Sequence, residues 1–368
     1  MMNKLNIAFF GSSIVSAYWN GAATYYRGIV KALHNMGHDI TFYEPDILER
    51  QKHRDIEDPH WCRVLVYPND KVTLRALLRK ASEEADVIIK ASGVGAFDEF
   101  LEEEIAGLKS YNTMVIFWDV DAPATLDRIE THPADPFNDL IAQYDVVLTY
   151  GGGQPVIDAY KRHGAKKCIP IYNALDTETH YPVDLKSNFE GTLAFLGNRL
   201  PDREKRVEEF FLKPAQNLPE KQFVLGGSGW GDKDLPQNVK YIGHVYTKDH
   251  NAFNCTPRAV LNISRDSMAK YGFSPATRVF EAAGAAACII TDYWEGIDSF
   301  FEPGEEILVA KSGKEVEEIL GSLSAERARA IGEAAYKKVL AKHTYEHRAQ
   351  LLESVINQKL QNKEQQGV

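Results

Sequence analysis

The chain has 368 residues, 44% hydrophobic and 26% charged, the balance of an ordinary globular protein with more than one domain. A formal net charge of −10 argues against a protein that coats nucleic acid, and no apolar run approaches the length that crosses a membrane. Cys62, Cys168, Cys255 and Cys288 are scattered with no pair at metal-ligand spacing and read as reduced thiols. With no signal-peptide pattern at the N-terminus, the expected location is the cytoplasm.

Short apolar runs alternate with amphipathic stretches, the pattern of βαβ units and a parallel sheet. A strand is predicted over 5–11, a helix over 22–36 stopped by Gly37, and a second strand over 38–43. Residues 64–67 read as a short strand, 74–84 as a helix, and 87–91 as a strand running into the turn-rich 92–95. A helix over 98–108 and strands over 113–118 and 145–149 follow; Gly151-Gly152-Gly153, a helix over 155–163 and a strand over 168–171 complete the first half. The polar stretch 173–188, with Pro182, reads as the linker. Strands at 191–197, 222–225, 239–243, 259–264 and 287–291 restart the same grammar, with a helix over 204–211 and a long charged helix over 345–363. The expected class is α/β: two doubly wound domains, 1–185 and 186–343, and a closing segment 344–368.

In such sheets ligands bind beyond the carboxyl ends of the strands, where this sequence keeps its unusual residues. Ser274 reads as an N-cap, Pro275 as the first helical residue, and Ala276 and Thr277 as the opening of the first turn. Arg278 adds a fixed positive charge and Glu281, one turn on, an acceptor for sugar hydroxyls. Such a start offers donors to a diphosphate and a carboxylate to a ribose; the plainer reading is a capped helix packed on a sheet. Gly226-Gly227-Ser228-Gly229-Trp230 allows close backbone approach to phosphate or base, with Trp230 either a ring platform or simple packing. Gly21, after Trp19-Asn20, precedes another helix in the same way. Arg199, Arg203, Arg265 and Arg278 can converge on a leaving diphosphate without a metal, or each stand as a surface charge. His244 and Val245 follow a strand end, and the histidines show no metal spacing. Asp119 and Asp121, at the end of a very apolar strand, suit a general base or an acceptor anchor, or else cap a turn. No G-x-G-x-x-G, no G-x-x-x-x-G-K-[ST] and no G-x-S-x-G occurs, which disfavours nicotinamide, P-loop and serine-hydrolase chemistry.

On Leu196-Gly197-Asn198-Arg199, residues 226–230, Tyr241-Ile242-Gly243-His244-Val245, Leu261-Asn262-Ile263-Ser264-Arg265, residues 272–292 and Pro303-Gly304-Glu305-Glu306-Ile307-Leu308, the chain resembles GT-B glycosyltransferases. More narrowly it resembles the CgeB-like spore-maturation group. The likeness covers roughly 190–350 and is weaker over 1–185. It implies two Rossmann-like domains facing across a cleft, an NDP-sugar held by the second, an acceptor held by the first, and a C-terminal helix crossing back. It matches Glu281 with the ribose glutamate, 274–277 with the diphosphate-binding helix start and 243–245 with the strand end beside the nucleobase. Eight positions before Glu281, where many retaining relatives carry a second glutamate, stands Phe273. The expected function is metal-independent transfer of a sugar, with no cofactor beyond the UDP-, GDP- or TDP-linked co-substrate. The acceptor (glycan, protein or small molecule) is open, and no nucleic-acid partner is expected. A sugar-nucleotide epimerase or hydrolase, or a non-catalytic nucleotide-binding protein, are the alternatives.

Overall fold

The computed structural model describes residues 4–110, 112–264, 269 and 271–366, with side chains at 202 and beyond 358 left aside. The chain divides into two compact units. The first holds residues up to Tyr172 and those from Tyr345 onward, the second Asn173–Thr344.

The first unit carries seven parallel strands, β1 (Asn6–Phe10), β2 (Asp39–Pro45), β3 (Arg63–Tyr67), β4 (Val87–Ala91), β5 (Met114–Asp119), β6 (Val146–Thr149) and β7 (Cys168–Pro170). Their order in the sheet is β3-β2-β1-β4-β5-β6-β7. β4, β5 and β6 are buried at every position, which is why their sequences are mostly apolar rather than alternating; the buried Lys90 of β4 is paired with Asp98 (2.8 Å) and Glu102 (3.5 Å). Helix Ala23–Asn35 lays Tyr25, Tyr26, Ile29, Val30 and Leu33 on one buried face, the spacing of a helix on a sheet. The Tyr25 hydroxyl accepts from Trp118 Nε1 (3.1 Å) and donates to the Ile171 carbonyl, joining this helix to β5 and the end of β7.

The C-terminal helix Tyr345–Gln366 belongs to this first unit. Its Tyr345 ring lies over Gly28, where a Cβ would come within 2.3 Å of the ring. Glu353, almost fully buried, meets His38 Nε2 at 3.1 Å, while His38 Nδ1 accepts from the Leu5 N–H at 3.3 Å. Gly28→Ala gains about 1 kcal/mol in helix propensity but drives a methyl group into a buried ring. The expected result is a net loss of about 1–2 kcal/mol, read as a lower Tm.

The second unit carries β8 (Leu193–Leu196), β9 (Phe223–Gly226), β10 (Val239–Gly243), β11 (Ala259–Asn262), β12 (Ile289–Asp292) and β13 (Leu308–Ala310), in the order β10-β9-β8-β11-β12-β13. All pairs are parallel, and Phe195, Phe211, Phe223, Leu225, Leu261 and Ile290 centre the core. The sequence pattern did not single out β13, three residues behind the Gly304 turn. None of the described helices is long and apolar enough to cross a membrane.

Candidate functional site

β8, β9 and β10 wind one way from the middle of the second sheet and β11, β12 and β13 wind the other, so the order reverses between β8 and β11. A crevice opens at the carboxyl ends of two strands related in this way. The helices that follow the two strands each bring an arginine to it. Arg203, on Pro201–Val207, donates from Nη2 to the Asn198 carbonyl at 2.8 Å, and its guanidinium lies 5.6 Å from the centre of the Phe195 ring. Arg278, the second residue of Thr277–Gly284, places its guanidinium 5.7 Å from the same ring. Burial first, and then the neighbouring Arg203 charge, push Arg278 down to about 10. Arg278 therefore remains a cation at neutral pH; Glu281, one turn on, attracts it, without a close ion pair to any carboxylate among the described residues. Two guanidiniums held against one ring form a pocket of positive charge suited to an anion.

The helix start differs from the sequence reading. Ser274 is not the N-cap: Thr277–Gly284 begins two residues later, behind Ala276, which makes no side-chain cap bond. The residue before a proline is driven to extended backbone, and the Ser274 hydroxyl turns back to the Gly272 carbonyl at 2.9 Å. Pro275 is buried, and Ser274, Ala276 and Thr277 are half-buried around the turn. Phe273 sits at φ +45°, a conformation bulky residues rarely adopt, with its N–H on the Glu295 carbonyl (2.6 Å) and its ring against Gly296.

Several glycine-loop and arginine expectations resolve into structure. Trp230 is fully buried and donates from Nε1 to the Gly197 carbonyl at 2.8 Å, so its indole packs the core and is not a ring platform. Gly227 adopts φ +116°, and a Cβ there would fall 2.3 Å from the Gly197 carbonyl oxygen. The close approach that this glycine serves is to the neighbouring loop. The Gly227 N–H reaches the Gly243 carbonyl (2.7 Å) and the Ser228 N–H the Asn198 side chain (2.9 Å); Ser228 and Gly229 themselves are exposed. Arg199 is engaged by Glu204 (2.8 Å) and Asp232 (3.1 Å), which leaves it tied to carboxylates. His244 is exposed, edge-on to Tyr246, and Val245 is buried. Arg265 lies outside the described residues.

Glu281 projects from the helix Thr277–Gly284 one turn past Arg278, a quarter exposed. Its carboxylate accepts no hydrogen bond among the described residues; His180 Nε2 stands 3.9 Å away. His250 is close enough to interact with Glu281, His180 and Arg278, and burial holds its imidazole below the usual value. Nothing local marks His180 and His250 as neighbours of Glu281, because about 100 and about 30 residues separate them from it along the chain.

In the first unit the order reverses between β1 and β4. Buried Arg50 ties together the loops beyond these strands, donating to the carbonyls of Ser12 (3.2 Å), Trp19 (3.2 Å) and Val94 (3.3 Å). Gly21 follows in open space. Asp119 is not the accessible carboxylate that the strand-end position suggested. It is fully buried and accepts from Ser92 Oγ (2.7 Å), Thr125 Oγ1 (3.0 Å), the Asp121 N–H (3.0 Å) and the Tyr160 hydroxyl. The second unit repeats this latch. Asp292, at the end of β12, takes the N–H and hydroxyl of Ser264 beyond β11 (3.1 Å each), with Arg206 as its ion-pair partner. Asp121 is exposed at the start of helix Ala122–Thr131. No group of three or more His, Cys, Asp or Glu able to hold a metal occurs among the described residues.

Residues 203–354 match a family model described as glycosyl transferase-like. No curated protein matches the chain in sequence. Among solved structures it is similar to sucrose-phosphate synthase from Thermosynechococcus elongatus, at 15% identity over 98% of this chain and 100% of that one, with a TM-score of 0.68. HepE of Anabaena, solved in complex with UDP-glucose, matches at 14% identity over 97% and 100%, TM-score 0.64. T4 phage BGT in complex with its UDP-glucose substrate matches at 13% over 96% and 99%, TM-score 0.59. At these identities the likeness is one of fold, and the chain has the two parallel-sheet domains of the GT-B class.

Proposed function

We propose that the chain is a glycosyltransferase, metal-independent, whose NDP-sugar donor is held by the second unit. The observation that carries this reading is the Arg203–Arg278 pair on the Phe195 ring at the β8/β11 reversal. The glycosyl transferase-like match falls mainly on that unit, and the UDP-glucose complexes of HepE and T4 phage BGT support a UDP-sugar as donor. Within this class, Arg278 ahead of Phe280-Glu281 supports the CgeB-like group.

In the proposed reaction the bond between the sugar's anomeric carbon and the diphosphate breaks, and a bond to an acceptor hydroxyl oxygen forms. The nucleoside diphosphate leaves with the electron pair, and Arg203 and Arg278 neutralise the developing charge. Glu281 orients the donor through the ribose hydroxyls. Asp119, sealed under its four donors, takes no part in proton transfer; Asp121 is the exposed acid on the acceptor side. Ser228, Gly229 and His244 line the outer part of the donor site.

A thermal-shift panel of UDP, GDP, TDP and their sugars tests the reading. A ligand at 100 times its dissociation constant adds about 2.7 kcal/mol of stability. At least one member of the panel is expected to raise Tm; a panel with no shift contradicts the proposal.

A further inference from the structure

Resting on that reading, we infer that His180 and Glu281 form a two-residue seat for one ribose hydroxyl, so that His180 sets the preference for a ribonucleotide over a deoxynucleotide. The turn that carries His180 is built to hold it in place. The N–H groups of Thr179 and His180 close onto the Asp176 carbonyl at 3.2 and 3.0 Å, and the Glu178 N–H binds the Asp176 side chain at 2.9 Å. Asn251 Nδ2 pins the turn to helix His250–Cys255 through the Thr179 carbonyl at 3.0 Å. On the other side the turn packs on the helix that bears Glu281, for a Cβ on Gly284 would lie 2.3 Å from Leu175 and 3.2 Å from the His180 carbonyl oxygen. Three elements thus fix one imidazole against one carboxylate.

The spacing points to what lies between them. At 3.9 Å, His180 Nε2 and Glu281 Oε1 are too far apart for a direct hydrogen bond. An oxygen at about 2.8 Å from each atom bridges that gap, with an angle at the oxygen of about 90°. The Thr179 hydroxyl lies 2.9 Å from Nδ1 and 3.2 Å from the Asp176 carbonyl; we assign its one proton to the shorter contact, so that Nδ1 accepts and the ring proton sits on Nε2, facing the carboxylate. A hydroxyl placed there donates to Glu281 and accepts from His180. Glu281 has no other hydrogen bond among the described residues, so the second carboxylate oxygen is available to a neighbouring hydroxyl of the same diol.

The test is a calorimetric titration of the full chain with UDP and GDP and with their 2′,3′-dideoxy counterparts. His180→Leu keeps the bulk and removes the donor, and His180→Gln keeps a donor. With His180→Leu the better-binding ribonucleotide is expected to weaken about 5- to 10-fold, while its dideoxy counterpart changes less than about twofold. His180→Gln should recover most of the loss. Equal weakening of both nucleotides makes His180 a packing residue and overturns the inference, as does an unchanged ribonucleotide affinity. Wild-type protein that binds UDP or GDP while both variants stay silent overturns only the seat. Wild-type protein that binds neither overturns the donor-site reading with it.

Discussion

Asp119→Ala is expected to destabilise the first unit by about 3–5 kcal/mol, enough to unfold much of it at physiological temperature. The substitution removes the fully buried acceptor shared by the hydroxyls of Ser92, Thr125 and Tyr160 and by the Asp121 N–H; the Tyr160 hydroxyl, itself fully buried, is hit hardest. A buried donor left without an acceptor costs about 1–3 kcal/mol, and the four sites can relax only in part. A denaturation melt separates this account from one in which Asp119 is a general base, because a base lost from an open site lowers turnover and leaves the melt alone. The pH dependence gives a second reading. Burial, opposed by hydrogen bonds from Tyr160 and Ser92, raises the Asp119 carboxyl above its usual value. A carboxyl raised on folding contributes stability that is full below its unfolded pKa and is lost as pH rises through the folded value. Asp119→Asn should remove that slope, whatever it does to stability at a single pH.

The second large effect falls on binding. Arg278→Gln is expected to weaken nucleoside diphosphate binding about 10- to 150-fold, the worth of a charge-assisted hydrogen bond of about 1.5–3 kcal/mol. Its effect on the unliganded protein should run the other way. Arg278 sits half-buried beside Arg203, and burial and that like charge outweigh the attraction of Glu281, so removing its charge gives a net relief of desolvation and repulsion. An unliganded Tm that is unchanged or higher, together with a lost ligand-induced shift, marks a residue kept for binding at the expense of stability. A lower unliganded Tm with ligand affinity intact would make Arg278 structural.

The sequence disclosed the sheets more fully than the site. Parallel strands are written as short, mostly apolar runs closed by small or turn residues, so Val87–Ala91 and Val239–Gly243 could be bounded to the residue even though each carries a lysine. The closing strand Leu308–Ala310 is too short for that signal. At the site, residue types were legible and partners were not. Asp119 and Arg199 looked like free charges at strand ends; Glu204 is a local partner of Arg199, but Ser92, Tyr160 and Asp232 come from elements that only folding brings near. Trp230 and Gly227 looked like ligand contacts because a glycine-rich strand end permits close approach; the approach is to Gly197. Arg278 and Glu281 stand out both in the sequence and in the structure, being the charged pair on the helix at the β8/β11 reversal.

The central claim is that this helix and its arginine pair hold a nucleoside diphosphate. The most direct measurement is a crystal structure of the chain grown with UDP. The account predicts diphosphate density within hydrogen-bonding distance of the Arg203 and Arg278 guanidiniums, with the ribose against Glu281 and His180. UDP bound elsewhere on the chain, or density for the diphosphate away from both arginines, would contradict it.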